Sequence, residues 1–153
     1  MSTEPTSWIG RRLEGFDWEV TREAVGNFAH AVGESDPVYF DAEVARRRGL
    51  KNIPVPPTFL ITLELDHRDS LLFIKELGLD AARVLHGEQS YDFHALVHVG
   101  DAIRVERTIT DAGIKGNNMT YLLTSNNFYR GDELVAQSQC TWLVTSPGGS
   151  SGS

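Results

Sequence analysis

The chain has 153 residues, of which 41% are hydrophobic and 23% charged, with a formal net charge of -7. That is the range of one soluble globular domain, long enough to bury a core without disulfide or metal staples. The acidic balance argues against general nucleic-acid binding, which needs a basic surface against phosphate.

Cys140 is the single cysteine, so it cannot form an intrachain disulfide, and its apolar-alternating surroundings predict a buried structural thiol. His and Cys never fall at ligand spacing, so no metal is expected. No apolar run reaches the ~20 residues of a membrane span. The opening "MSTEPTSW" lacks a charged leader and an apolar core, and a cytoplasmic protein is expected.

The first strand is expected around "LEGFDWEV". Thr21 then reads as the N-cap of a helix, "TREAVGNFAHAVGE", with Ala24, Val25, Phe28, Ala29 and Val32 on one face and Gly33 at its end. Asp36-Pro37 reads as a turn start. "DAEVARRRG" predicts a short second helix, capped by Asp41 and closed by Gly49. The prolines Pro54, Pro56 and Pro57 make the next loop extended and irregular. "TFLITLELDHRDSLLFIKELG" predicts one long or two short helices, buried at the apolar first turn.

From Leu85 the period falls to two. "EQSYDFHALV" sets Gln89, Tyr91, Phe93 and Ala95 against Ser90, Asp92 and His94. "AIRVERTIT" sets Ile103, Val105, Arg107 and Ile109 against Arg104, Glu106 and Thr108. After a turn at "GIKGNN", "MTYLLTSNNFYR" and "LVAQSQCTWLVT" complete the strands. The fold class is α+β: one domain over residues 1–146, four or five long antiparallel strands around a central helix, then a polar tail at 147–153. The sheet leaves an edge strand that dimerisation would cover.

Three segments carry a family resemblance: "GESDPVYFDAEVARRRG", "PVPPTF" and "LHGEQSYDFHALVHVGD". Together they resemble the MaoC-like hydratase/dehydratase superfamily across roughly residues 10 to 144. The branch is that of the dehydratase domain of type I fatty acid synthases and the degenerate subunits of (3R)-hydroxyacyl-ACP dehydratases. The resemblance implies a hotdog fold and a hydro-lyase, or a subunit of one, acting on 3-hydroxyacyl or 2-enoyl thioesters of CoA or acyl carrier protein. It implies no dissociable cofactor, because the thioester itself acidifies the α-proton.

Such enzymes hold one water between an Asp and a His five residues apart, while a backbone N–H polarises the thioester carbonyl. Acid and base must reach the water by hydrogen bonds, and an enolate-like transition state needs a preorganised donor. Here Glu34 takes the Asp place, Asp36 an Asn place and Tyr39 the His place; Pro57 takes the place of the N–H-donating Gly. Tyr ionises near ~10 and is a poor base at neutral pH, and Pro has no N–H. His94 is a further candidate for the catalytic set and Thr58 an alternative oxyanion donor. The resemblance also places His86, Gly87 and Gln89 at the substrate. Arg46, Arg47, Arg48 and Lys51 could contact phosphate of CoA or the phosphopantetheine arm, or simply complement a helix C-terminus.

Three readings stay open: one half of a heterodimer with another MaoC-like subunit, a homodimeric enzyme with an altered constellation, or a non-catalytic acyl-thioester-binding module.

Overall fold

The computed structural model describes residues 4–65 and 71–146. The polar tail and the middle of the predicted long helical stretch lie outside the described residues. Strands β1 (Arg12–Glu19), β2 (Val84–Phe93), β3 (Ala102–Lys115), β4 (Met119–Arg130) and β5 (Glu133–Thr145) form one antiparallel sheet in the order β1-β3-β4-β5-β2. β1 and β2 are therefore its edges.

Helix α1 (Arg22–Ala31) starts where Thr21 Oγ1 accepts from the Ala24 N–H at 3.1 Å. It stops at Gly33, whose φ of +79° few residues other than glycine adopt. Val25 and Ala29 are buried, whereas Val32 lies one residue past the last helical turn and is exposed, unlike the face expected for it. Helix α2 (Ala42–Arg47) is capped by the Asp41 carboxylate, which accepts from Glu43 and Val44 N–H. Helices α3 (Leu60–Leu65) and α4 (Leu72–Glu76) are the two described pieces of the apolar helical stretch.

Two strand limits differ from the sequence pattern. β3 continues to Lys115, because Gly113 and Ile114 still pair with Tyr121 and Thr120; the turn is confined to Gly116–Asn118, with φ of +57° at Gly116 and +62° at Asn118. β2 begins at Val84 but stops at Phe93. His94 and Ala95 both donate to the Val135 carbonyl, and the chain then leaves the ladder to meet Pro54 through a bridge at His98.

The packed face of the sheet holds two apolar clusters. One joins Phe59, Leu60 and Leu63 to Val105, Phe128 and Ala136. The other joins Phe73, Ile74 and Leu77 to Ile109, Leu122 and Trp142. Cys140 is fully buried in the second, and burial pushes its thiol up to about 12. This is the arrangement expected of a hotdog domain, a long antiparallel sheet packed over a buried helix.

Candidate active site

A cavity of about 760 Å³ opens between the start of α3 and the chain leaving β2. Its walls are mostly apolar: Leu50 and Val55 from the proline loop, Leu60 from α3, and Phe93 to Val97 opposite. Asp36, Tyr39, Arg48, Pro57 and His94 also face it.

The short turn Pro37–Tyr39 positions the first two. Asp36 caps it, with Oδ1 accepting from the Val38 N–H at 3.0 Å. Asp36 Oδ2 accepts from Arg48 Nη1 at 2.9 Å. The Arg48 guanidinium first, and the Val38 N–H second, hold the Asp36 carboxyl below the usual range. Both carboxylate oxygens are thus committed. Partial burial, reinforced by the Glu34 and Asp36 charges, raises the Tyr39 phenol above its ordinary value. Tyr39 therefore keeps its proton and can donate a hydrogen bond, but it cannot serve as a neutral-pH base. Glu34 is half-buried and outside the cavity lining, although close enough for its charge to act on Tyr39.

On the facing wall, His94 is exposed and its Nε2 lies 3.3 Å from Gln137 Oε1. Pro57 and Thr58 sit in the turn ahead of α3, where Phe59 N–H closes on the Pro56 carbonyl at 2.9 Å. Pro57 brings a carbon ring, not an N–H, to the cavity wall.

The other sequence candidates are placed elsewhere. Arg46 pairs with Glu43, Arg47 Nε donates to the Glu43 carbonyl at 3.3 Å, and Lys51 Nζ lies 3.5 Å from Asp101 Oδ1. Of the four basic residues only Arg48 lines the cavity. His86 packs edge-on against Trp142 and lies 3.0 Å from Gln89 Oε1. Gly87 sits at a bulge in β2, where a Cβ would come within 3.1 Å of the Thr141 carbonyl. None of the three lines the cavity.

Sequence reasoning passed over a second polar group, centred on buried Glu64 with Asn126 and Ser138. The signal was present: Arg107, Asn126 and Ser138 are polar interruptions at inward positions of otherwise apolar alternation. Among the described residues, no group of three or more His, Cys, Asp or Glu is arranged to hold a metal ion. Nor is any described helix long and apolar enough to cross a membrane.

The family model "FAS1-like, dehydratase domain region" matches residues 7–143. The chain belongs to that family. Among relatives of this FAS1-like dehydratase region, a UPF0336 protein of Streptomyces avermitilis is 36% identical over 115 residues, covering 74% of this chain and 77% of its own. Another from Thermobifida fusca is 32% identical over 130 residues, covering 84% and 86%. In fold, the chain is similar to a C-terminally truncated HadBC (3R-hydroxyacyl-ACP dehydratase) complex from Mycobacterium tuberculosis. That match has a TM-score of 0.75 and 24% identity, covering 89% of this chain and 96% of the other. The (R)-hydratase from A. caviae involved in PHA biosynthesis superposes with a TM-score of 0.68 at 18% identity, covering 88% and 94%. The FAS1-like dehydratase region here thus has the hotdog fold of those structures.

Proposed function

We propose that this chain is the acyl-binding subunit of a hotdog hydro-lyase acting on 3-hydroxyacyl or 2-enoyl thioesters, with the acid and base supplied by a second MaoC-like chain. The observation that carries the reading is the Asp36–Arg48 ion pair at 2.9 Å in the cavity wall. Dehydration requires a base to take the α-proton, an acid to protonate the departing 3-hydroxyl, and a donor at the thioester oxygen. Asp36 is paired with Arg48 and already holds the Val38 N–H, which keeps it ionised and makes it a weak base. Tyr39 retains its proton, and Pro57 has no N–H to give. What remains is an apolar cavity of the size that takes small-molecule ligands.

The family's dehydratase description and the name of the similar mycobacterial complex support the substrate class. An assembly partner is supported by the edge position of β2 and by exposed Leu85, Phe93 and Leu96 on and just beyond it. Pairing through this edge would place a second chain beside the cavity wall formed by Phe93 to Val97.

A specific observation keeps a second reading, a homodimeric enzyme, in view: Asp36, Tyr39 and His94 do face one cavity. One substitution tests the cavity as the acyl site, and a second separates the readings. Leu50→Asp places a charge in the apolar wall and should weaken enoyl-CoA binding by about tenfold or more, 1.4 kcal/mol. Asp36→Asn should leave turnover of the assembled complex within about tenfold, whereas loss of a true acid-base group typically costs about 10²–10⁴-fold. A loss of the larger size would assign the chemistry to this chain.

A further inference from the structure

Four strands and one helix meet in a polar row that divides the two apolar clusters. Arg107 on β3 pairs in register with Asn126 on β4, Asn126 with Ser138 on β5, and Ser138 with Tyr91 on β2. Glu64 of α3 lies over this row. Its Oε1 accepts from Ser138 Oγ at 2.7 Å and Tyr91 OH at 3.2 Å, and its Oε2 accepts from Asn126 Nδ2 at 3.0 Å. Gln89 Nε2 is 3.3 Å from both oxygens. Glu64 is 1% exposed, as is Asn126, and Ser138 is 2% exposed.

Such a row is a poor way to gain stability. A buried carboxylate is costly even when well supplied with donors, and apolar replacement of buried ionic groups is often neutral or stabilising. Its connections suggest another use. Helix α3 carries Leu60, one turn before Glu64, and Leu60 is one wall of the cavity. The donors Gln89 and Tyr91 lie on β2, whose continuation from Phe93 to Val97 is the facing wall. The Phe93 ring stacks on Tyr91, with centroids 5.5 Å apart. One carboxylate is therefore bonded to both elements that enclose the cavity. The connection also gives a role to the His86–Gln89 segment: Gln89 donates to Glu64 through its amide while its carbonyl meets His86.

We infer that Glu64 is a positioning residue that holds α3 and β2 at the separation the cavity requires, so that ligand affinity depends on a side chain that does not line the cavity. The inference rests on the cavity being the acyl-thioester site. In it, Gln89 and Tyr91 are the contacts to one wall, and Asn126 and Ser138 fix the carboxylate against the sheet.

The test compares full-length Glu64→Gln with Ile109→Val, a deletion of one methyl in the apolar half beyond the row, at matched loss of melting temperature. Two quantities are read: the Kd for crotonyl-CoA, and amide hydrogen exchange at the cavity-lining His94, Ala95 and Val55, whose N–H groups bond to Val135 and Val97. Glu64→Gln should raise Kd by about tenfold and speed exchange at those three amides by about tenfold, with Ile109→Val changing neither. Equal effects from the two variants, or a destabilised Glu64→Gln with unchanged affinity and exchange, would overturn the inference. If the native chain does not bind crotonyl-CoA, the acyl-thioester reading fails, while the exchange measurement still decides whether Glu64 sets the wall. Should Glu64→Gln not fold, Tyr91→Phe removes one donor and keeps the ring. It is expected to move both readouts in the same direction by about threefold, 0.65 kcal/mol, and no movement would equally refute the role.

Discussion

Asp36 and Glu64 are two carboxylates with opposite environments, and each has its own dependence on pH. Asp36 is held below the ordinary range by Arg48 and the Val38 N–H, so its contribution is present above the ordinary Asp value and fades as pH falls through the lowered one. Because the pair is partly exposed, that contribution is small. Glu64 is shifted upward, by burial first, against the opposing bonds from Ser138, Tyr91 and Gln89 and the charge of Arg107. A carboxyl with a raised folded value favours folding most at low pH, and the advantage is lost as pH rises from its ordinary value of 4.5 through the raised one. The groups around it are Arg107 on β3, Tyr91 on β2 and Cys140 on β5. Urea unfolding should therefore show stability falling above about pH 4.5, and Glu64→Gln should flatten that fall. An unchanged slope in the variant would remove Glu64 as its source. Cys140 offers an independent check on the core. Its fully buried thiol should react with a disulfide reagent only as fast as the protein unfolds, and rapid native-state labelling would contradict the packing.

At the scale of elements, two register shifts of the sheet fall at glycines, Gly15 in β1 and Gly87 in β2. Gly15, beside the register shift in β1, would bring a Cβ to 2.6 Å from the Val105 carbonyl oxygen. Since that atom is backbone, Gly15→Ala should destabilise by about 1–3 kcal/mol, measured by denaturant midpoint; a neutral result would mean that β1 sits further from β3. Much of the element pattern was legible in the chain because its causes are local. Thr21 and Asp41 cap their helices by side-chain hydrogen bonds, Gly33 and Gly49 close them in the left-handed region, and β4 runs over the residues its alternation marks. The end of β2 was not legible. "DFHALV" alternates as a strand should, yet His94 and Ala95 share one acceptor on β5 and the chain turns away. The basic run is likewise split up by the tertiary fold. Arg46 lies on α2, Arg48 just past its end and Lys51 in the loop beyond, and Glu43, Asp36 and Asp101 each take a different one of them.

For the molecule as a whole, fold and family were readable from three motifs, but the partition of polar residues into two sites was not. Asp36 and Arg48 lie 12 positions apart in sequence and meet at 2.9 Å; Glu64 and Ser138 are 74 apart and meet at 2.7 Å. Only the tertiary fold distinguishes the committed Asp36 from a free carboxylate, and the wall residues from those that brace them. The exposed apolar side chains near β2 predict association at this edge. Sedimentation should find a dimer or larger assembly, and Leu85→Lys should shift it toward monomer, whereas a stable native monomer at micromolar concentration would count against pairing. The central claim is that the cavity binds an acyl thioester while its own acid-base groups are disabled. It is tested most directly by the turnover of crotonyl-CoA by the purified chain alone. The expected result is saturable binding with negligible hydration, and activity only on adding a chain that bears the Asp and His. An ordinary turnover of about 10 per second by the isolated chain, abolished by Asp36→Asn, would contradict it.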